Sequence, residues 1–304
     1  MRRKGENELR RPPFPAVLAA AAVVLAALTV LLAACGGGQN TAGSEPKKLV
    51  VGLVPSQEAE NLDAKAKPLA DLLSEKLGVP VEVFVGSDYT AVIEGMGAGQ
   101  VDIGFLNPKG YVTAKEKGYA DVLLKAVRNG SDTYRAQIVV AHDSPIRAIA
   151  DLKGKKIAYV DPQSTSGYVY PVVLLKKNGI DPEKDVTMVE AGGHDKTILA
   201  LLRGDVDAAF SFDDARTIVQ KADPAVMDKT RILAYTDPIP NDTVSVRTNL
   251  PNEWKDKIKQ AFLDIAQDEK GKQVIRDIYS HEGYAPAQDS DFDVVREADR
   301  LLNQ

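Results

Sequence analysis

Two stretches of this 304-residue chain read as copies of one unit, and no other feature narrows its possible folds as far. Asp88-Tyr89-Thr90-Ala91-Val92-Ile93 leads into Gly99-Gln100-Val101-Asp102-Ile103-Gly104-Phe105. His194-Asp195-Lys196-Thr197-Ile198-Leu199 leads into Gly204-Asp205-Val206-Asp207-Ala208-Ala209-Phe210. In both, Gly-x-Val-Asp falls at the same offset from an aromatic ring, Tyr89 or His194, so each unit reads as loop, ring, helix, tight turn and buried strand. Helix-turn-strand units are common in α/β proteins, which keeps a chance match open as the other reading. A true repeat gives two α/β lobes, each aiming one ring at a crevice by the carboxyl ends of its strands, where open α/β sheets hold ligands.

The rest of the chain fits that architecture. Short β-branched runs at 49–54, 81–85, 101–105, 138–141, 157–160, 186–189 and 206–210 predict strands. Helical spacing lies between and after them, as in Leu62, Ala66, Leu69, Leu73 and Leu77 or Ile258, Phe262 and Ile265. Such alternation implies sheets with helices on both faces. With 44% hydrophobic and 27% charged residues the chain is globular in composition. Its 38 Lys+Arg against 43 Asp+Glu leave no basic excess for a phosphate backbone, so general nucleic-acid binding is disfavoured. A single cysteine forbids an intrachain disulfide, and with only three histidines a zinc site of nitrogen and sulfur ligands is improbable.

The amino terminus reads as an export signal. Arg2, Arg3, Lys4, Arg10 and Arg11 precede an apolar run from Ala16 to Ala34 in which Thr29 alone is polar. The run ends in Leu32-Ala33-Ala34-Cys35, which resembles the bacterial lipobox: cleavage before Cys35 would expose a sulfur for diacylglycerol. An uncleaved membrane helix is the other reading of a run this long. Residues 1–34 are thus expected to be a lipoprotein signal peptide and 35–46, opening with Gly36-Gly37-Gly38, a flexible tether. Losing 1–34 removes five positive and two negative charges and leaves a mature chain at −8. Its length predicts two lobes rather than one.

The most informative string for chemistry is Asp161-Pro162-Gln163-Ser164-Thr165-Ser166-Gly167-Tyr168, between a predicted strand and the apolar run 169–175. Three hydroxyls and a glycine at a helix start, where backbone N–H groups lack partners, make an anion site. Plain N-capping by Ser164 or Ser166 is the alternative. Pro171, about one turn in, predicts a late start or a kink. Asp102 and Asp207 precede an apolar strand in both units and read as structural turn carboxylates. Ser166, His194 and Asp214 supply the residue types of a hydrolase triad, the sharpest catalytic alternative. Ser44-Glu45-Pro46-Lys47 matches a Ser-x-x-Lys motif only by chance, since it lies in the tether. A structural surface lipoprotein without a small ligand is a third class.

Together, Asp88-Tyr89 with Ile93-Glu94-Gly95-Met96, Val101-Asp102-Ile103, the Ser-Thr-Ser-Gly string, Gly193-His194 with Val206-Asp207-Ala208-Ala209, and Pro238-Ile239-Pro240-Asn241-Asp242 carry a resemblance. The chain resembles the phosphate/phosphite/phosphonate-binding proteins of bacterial ABC transporters, the phosphonate-binding branch of the type II periplasmic binding proteins. The resemblance implies a two-lobed α/β fold with the ligand in the interlobe cleft, delivered to a membrane permease after closure. It implies that Ser164, Thr165 and Ser166 hold the oxyanion, that Tyr89 and Tyr134 are cleft tyrosines, and that His194 donates to a ligand oxygen. Asp214 and Asp242 match positions at which aminoethylphosphonate binders carry carboxylates for the amine, with Asp214 shorter than the glutamate found there. From the residues alone, His194 could instead cap its helix, the tyrosines could be core rings, and Asp242 could be a turn residue. The expected lobes are 47–137 plus 246–304, and 138–245. The expected ligand is a phosphonate, phosphite or related oxyanion, with an aminoalkylphosphonate as the alternative. No catalytic residue, cofactor or metal is expected, and the expected location is the extracytoplasmic face of the cell membrane through a lipid at Cys35.

Overall fold

A computed structural model describes residues 45–304. The predicted signal peptide 1–34, the acylation site Cys35 and all but the end of the tether lie outside the described residues. Among the described residues no helix is long and apolar enough to cross a membrane.

Two sheets carry the fold, and strands are numbered along the chain. The first is built from β1 (Leu49–Leu53), β2 (Val81–Val85), β3 (Ile103–Leu106), β4 (Ala120–Val127), β12 (Thr243–Arg247) and β13 (Gly283–Pro286), in the order β13-β4-β12-β3-β1-β2. The second is built from β6 (Ala136–Ala141), β7 (Lys156–Tyr159), β8 (Thr187–Glu190), β9 (Ala208–Phe212) and β10 (Thr230–Tyr235), in the order β10-β6-β9-β7-β8. Between them the chain crosses twice, and the crossing strands β5 (Thr133–Tyr134) and β11 (Ile239–Pro240) pair with each other antiparallel.

The repeat read from the sequence is architectural. β2-β1-β3 and β8-β7-β9 are both all-parallel triplets, and each is extended past its third strand by an antiparallel strand, β12 on β3 and β6 on β9. The two Gly-x-Val-Asp aspartates do the same work. Asp102 Oδ2 accepts the Val50 N–H at 2.8 Å while the Asp102 N–H donates to Val50 O. Asp207 Oδ2 accepts the Lys156 N–H at 2.9 Å while the Asp207 N–H donates to Lys156 O. Each aspartate thereby locks its strand to the start of the neighbouring one, as the structural reading of these carboxylates expects.

Helices cover the sheets. α1 (Ala59–Leu77) presents Leu62, Ala66, Leu69 and Leu73 along one stripe, all buried. It ends where Gly78 turns left-handed, φ 72°, and returns its N–H to Ser74 O. After it come α2 (Tyr89–Gly97), α3 (Pro108–Glu116), α4 (Tyr170–Lys177), α5 (His194–Leu202), α6 (Arg216–Gln220), α7 (Val226–Lys229), α8 (Asn252–Ile265), α9 (Glu269–Tyr279) and α10 (Asp293–Leu302). α8 and α9 share the α1 core through Trp254, Ile258, Phe262 and Ile278. A second core runs between the lobes: Val92, Ile93 and Tyr111 of the first pack in one cluster with Val160, Tyr170 and Val173 of the second and Val295 of α10. The periodicity does not pick out β4, β10 or β12. β4 and β10 are half-buried, and β12, though buried, is a five-residue run between the short crossing strand β11 and a turn.

Candidate functional site

A cavity of about 740 Å³ lies between the sheets and is lined from both. Tyr89, Asn107, Arg128 and Asp242 come from the first side, Ser164, Ser166, His194 and Phe212 from the second, and Tyr134 from the crossing strand. That volume is in the ordinary range for a small-molecule site.

Tyr89 and His194, the rings of the two repeat units, are the first residues of α2 and α5. Asp88 caps α2 by accepting the Ala91 N–H at 2.8 Å, and Gly193 caps α5 in extended backbone. The amides of the two rings then reach across the cleft in matching fashion. Tyr89 N–H points to Asp161 Oδ2 at 3.4 Å, and His194 N–H donates to Ser56 O at 2.9 Å. Ser56 follows β1, and Asp161 follows the equivalent β7. Each lobe's second helix is thus held by the loop after the other lobe's central parallel strand.

The Ser-Thr-Ser-Gly string opens its helix as a wide π-type turn, Thr165–Val169, that runs directly into α4. Ser164 caps it, its Oγ accepting the Gly167 N–H at 3.1 Å. Pro171 explains the widening: with no N–H of its own it leaves Gly167 O free, and the Val160 N–H takes that carbonyl at 3.1 Å. Gly167 is needed for the approach, because a Cβ there would sit 2.3 Å from a Val160 methyl. The helix starts on time and adjusts its pitch, instead of starting late.

Ser164 and Ser166 face the cavity, but Thr165 does not line it. The expectation was that all three hydroxyls hold the ligand; the cavity brings together two of them. The Thr165 Oγ1 is fully buried and accepts two hydrogen bonds from the first lobe, from Asn107 Nδ2 and from the Lys109 N–H, both at 2.8 Å. Successive helical residues point about 100° apart, so two serines flanking Thr165 can face one way while it faces another.

Asp214 was expected in the site as well. It does not line the cavity, and its Oδ2 is taken by Arg128 Nη2 at 3.2 Å and Asn129 Nδ2 at 3.3 Å. The triad alternative fails with it, since His194 Nδ1 lies 3.0 Å from Ser211 Oγ and makes no pair with Asp214. Asp242 lines the cavity, with its Oδ2 4.0 Å from His281 Nε2.

The titratable rings are neutral donors. Burial, with a smaller push from the Arg128 cation, lowers His194 to about 3, so its imidazole is uncharged at neutral pH. In the tautomer with Ser211 donating to Nδ1, Nε2 carries the proton and can donate. Burial raises the Tyr89 phenol far above its usual range, opposed by the Ser164 hydroxyl and assisted by Asp161 and Asp242. Tyr134 is raised by burial and then by Asp242, with Ser166 opposing. Five neutral donors therefore share the wall with the Arg128 cation and the carboxylates of Glu58, Asp195, Asp242 and Asp277. Among the described residues no three His, Cys, Asp or Glu side chains gather as metal ligands.

Arg128 is the functional residue the sequence reading misses. The available signal is Asn129-Gly130 just after it: both take positive φ, 50° and 70°, in a tight hairpin turn that fixes the arginine at the cleft edge. Asn107 is missed too; buried at the start of α3, it donates to Gln163 O at 2.7 Å as well as to Thr165.

Residues 51–292 match the family described as ABC transporter, phosphonate, periplasmic substrate-binding protein. The chain is 32% identical over 280 residues to the phosphate-import protein PhnD of Mycolicibacterium smegmatis, covering 84% of this chain and 86% of that one. It is 28% identical over 251 residues to the phosphonates-binding periplasmic protein of Escherichia coli, covering 81% and 73%. In fold it is similar to a phosphonate-transporter binding protein of Pseudomonas aeruginosa, with a TM-score of 0.78 at 23% identity over 85% of this chain and 87% of that one. It is also similar to PhnD1 of Prochlorococcus marinus in complex with methylphosphonate, with a TM-score of 0.76 at 21% identity over 85% and 99%. The two-lobed α/β architecture, the repeat with its paired rings and a family match over most of the chain agree: this protein belongs to the periplasmic substrate-binding proteins of phosphonate ABC transporters.

Proposed function

We propose that the protein captures a small phosphorus oxyanion in the interlobe cleft and delivers it to the permease of an ABC importer. The observation that carries this reading is the convergence of neutral donors from both lobes on one cavity: Tyr89 from the first, Ser164, Ser166 and His194 from the second, and Tyr134 between them. Neutral dipoles and helix-start amides hold an anion locally even in an acidic protein. Asp242, beside Tyr89 and Tyr134, adds a carboxylate acceptor that a fully ionised anion does not want, and a P–OH group satisfies it.

The lobes that close are 47–137 with 246–304 and 138–245, joined at β5 and β11; the sheets favour a return crossing slightly earlier, since Thr243 already pairs in the first sheet. A diacylglycerol on Cys35 holds the mature chain at the extracytoplasmic face of the membrane, with 35–46 as the tether, which accounts for the Leu-Ala-Ala-Cys string after an apolar run.

Calorimetry with phosphate, phosphite, methylphosphonate and sulfate tests the site. Sulfate matches them in size and geometry but carries no proton at neutral pH, so it should bind at least about tenfold more weakly, a difference of about 1.4 kcal/mol. Sulfate binding as tight as every phosphorus oxyanion would overturn the reading of Asp242 and of the ligand class.

A further inference from the structure

His281 does not line the cavity, yet it stands against a side chain that does. It is 1% exposed, and its Nε2 is buried without a hydrogen-bond partner, 4.0 Å from Asp242 Oδ2. The backbone fixes it there from both sides. Ser280 ends α9 in the left-handed region, φ 58°, with its N–H donating to Arg276 O, and the Glu282 N–H donates to Val127 O at 2.8 Å. The ring is held by aromatic neighbours, stacked 6.1 Å from Phe105 and meeting Tyr284 edge to face at 5.7 Å. A ring packed in this way has little freedom to turn to another partner.

What faces each nitrogen decides where the ring proton lies. Burial lowers the His281 pKa against the pull of Asp242 and with a smaller push from Arg128, so the imidazole is uncharged at neutral pH. Nδ1 lies 3.4 Å from the Tyr284 hydroxyl, and burial keeps that phenol protonated and able to donate. With Nδ1 accepting, the one ring proton is on Nε2; the other tautomer would aim a lone pair at the Asp242 carboxylate. The Asp242 backbone is fixed, its O accepting the Ala126 N–H at 2.8 Å, so only the side chain remains to be set. The 4.0 Å separation is about 1 Å beyond a hydrogen bond, within reach of a small turn of that side chain. A neutral donor steadies a carboxylate without cancelling its charge, which leaves the second oxygen a strong acceptor.

Resting on the reading of Asp242 as the acceptor for a ligand P–OH, we propose that His281 is a positioning residue for ligand selection. Its Nε2–H takes Asp242 Oδ2 and turns the other carboxylate oxygen toward the cleft, so that a protonated phosphorus oxyanion is bound in preference to sulfate.

Calorimetry with methylphosphonate and sulfate tests it. His281→Phe keeps a ring against Phe105 and Tyr284 but has no donor; methylphosphonate should bind about tenfold more weakly, while sulfate, which brings Asp242 no proton, holds or gains. The methylphosphonate preference of the wild type should therefore shrink about tenfold. His281→Gln, whose amide places a donor near the Nε2 position, should restore most of it. A His281→Phe preference equal to the wild type's, including the case in which both ligands weaken together, overturns the proposal and leaves the oxyanion site standing, as does a Gln variant no better than Phe. A wild type that binds sulfate as tightly as methylphosphonate, or binds neither, sinks the reading of Asp242 itself and the proposal with it. If His281→Phe does not fold by circular dichroism, nitrogen NMR of the wild-type His281 ring decides. A proton on Nε2, with a resonance that moves on adding methylphosphonate but not sulfate, supports the proposal; a proton on Nδ1, or the same response to both ligands, overturns it.

Discussion

The Thr165 hydroxyl accepts from Asn107 and from the Lys109 amide with no water-exposed surface left, so its chemistry is internal. Thr165→Val keeps the shape and strands the Lys109 N–H and one Asn107 proton. An unsatisfied buried donor costs about 1–3 kcal/mol, so urea unfolding of the ligand-free variant should show a loss of about 2 kcal/mol. Unchanged stability with weakened ligand binding would return Thr165 to the ligand. The string around it was readable as a helix start, because Ser and Thr cap helices and glycine permits close approach, and Ser164 does cap it. Which hydroxyl faces the cavity was not readable, because the rotational phase of a helix is set by what docks against it, here α3 and Asn107. Arg128 escaped for a related reason: at a strand end beside Asn-Gly, a charge looks like solvent-facing surface until the opposite lobe is in place.

At the scale of elements, Asp102 and Asp207 tie parallel strands together, but not with equal force. Asp102 is nearly buried and also receives Arg247 Nε at 2.6 Å, which joins β12 to the junction of β1 and β3. Asp207 is exposed and serves Lys156 N alone. Asp102→Ala should therefore cost about 2–3 kcal/mol in urea unfolding, since it removes a charged acceptor from two donors, and Asp207→Ala clearly less. The reverse order would refute this division. The parallel triplets were legible from the repeat itself, because a unit of helix, turn and buried strand has few ways to return to its own sheet. β12 was not. Its partners β3 and β4 lie more than a hundred residues earlier, and nothing within five residues of Thr-Val-Ser-Val-Arg announces them.

For the whole molecule, the amides of Tyr89 and His194 tie the two lobes to each other across the cleft, through Asp161 and Ser56. Cys35→Ala should leave the precursor at its full mass in a membrane fraction, read by mass spectrometry; normal processing of that variant would remove the lipobox reading.

The route of the chain between the sheets also sets a timetable for synthesis. β12 lies between β3 and β4 and pairs with both, so the first sheet cannot close until residue 247 has been made. All five strands of the second sheet are complete by Tyr235. As the chain emerges amino terminus first, the lobe that begins first is finished last, and its exposed β3 edge must wait while its neighbour folds.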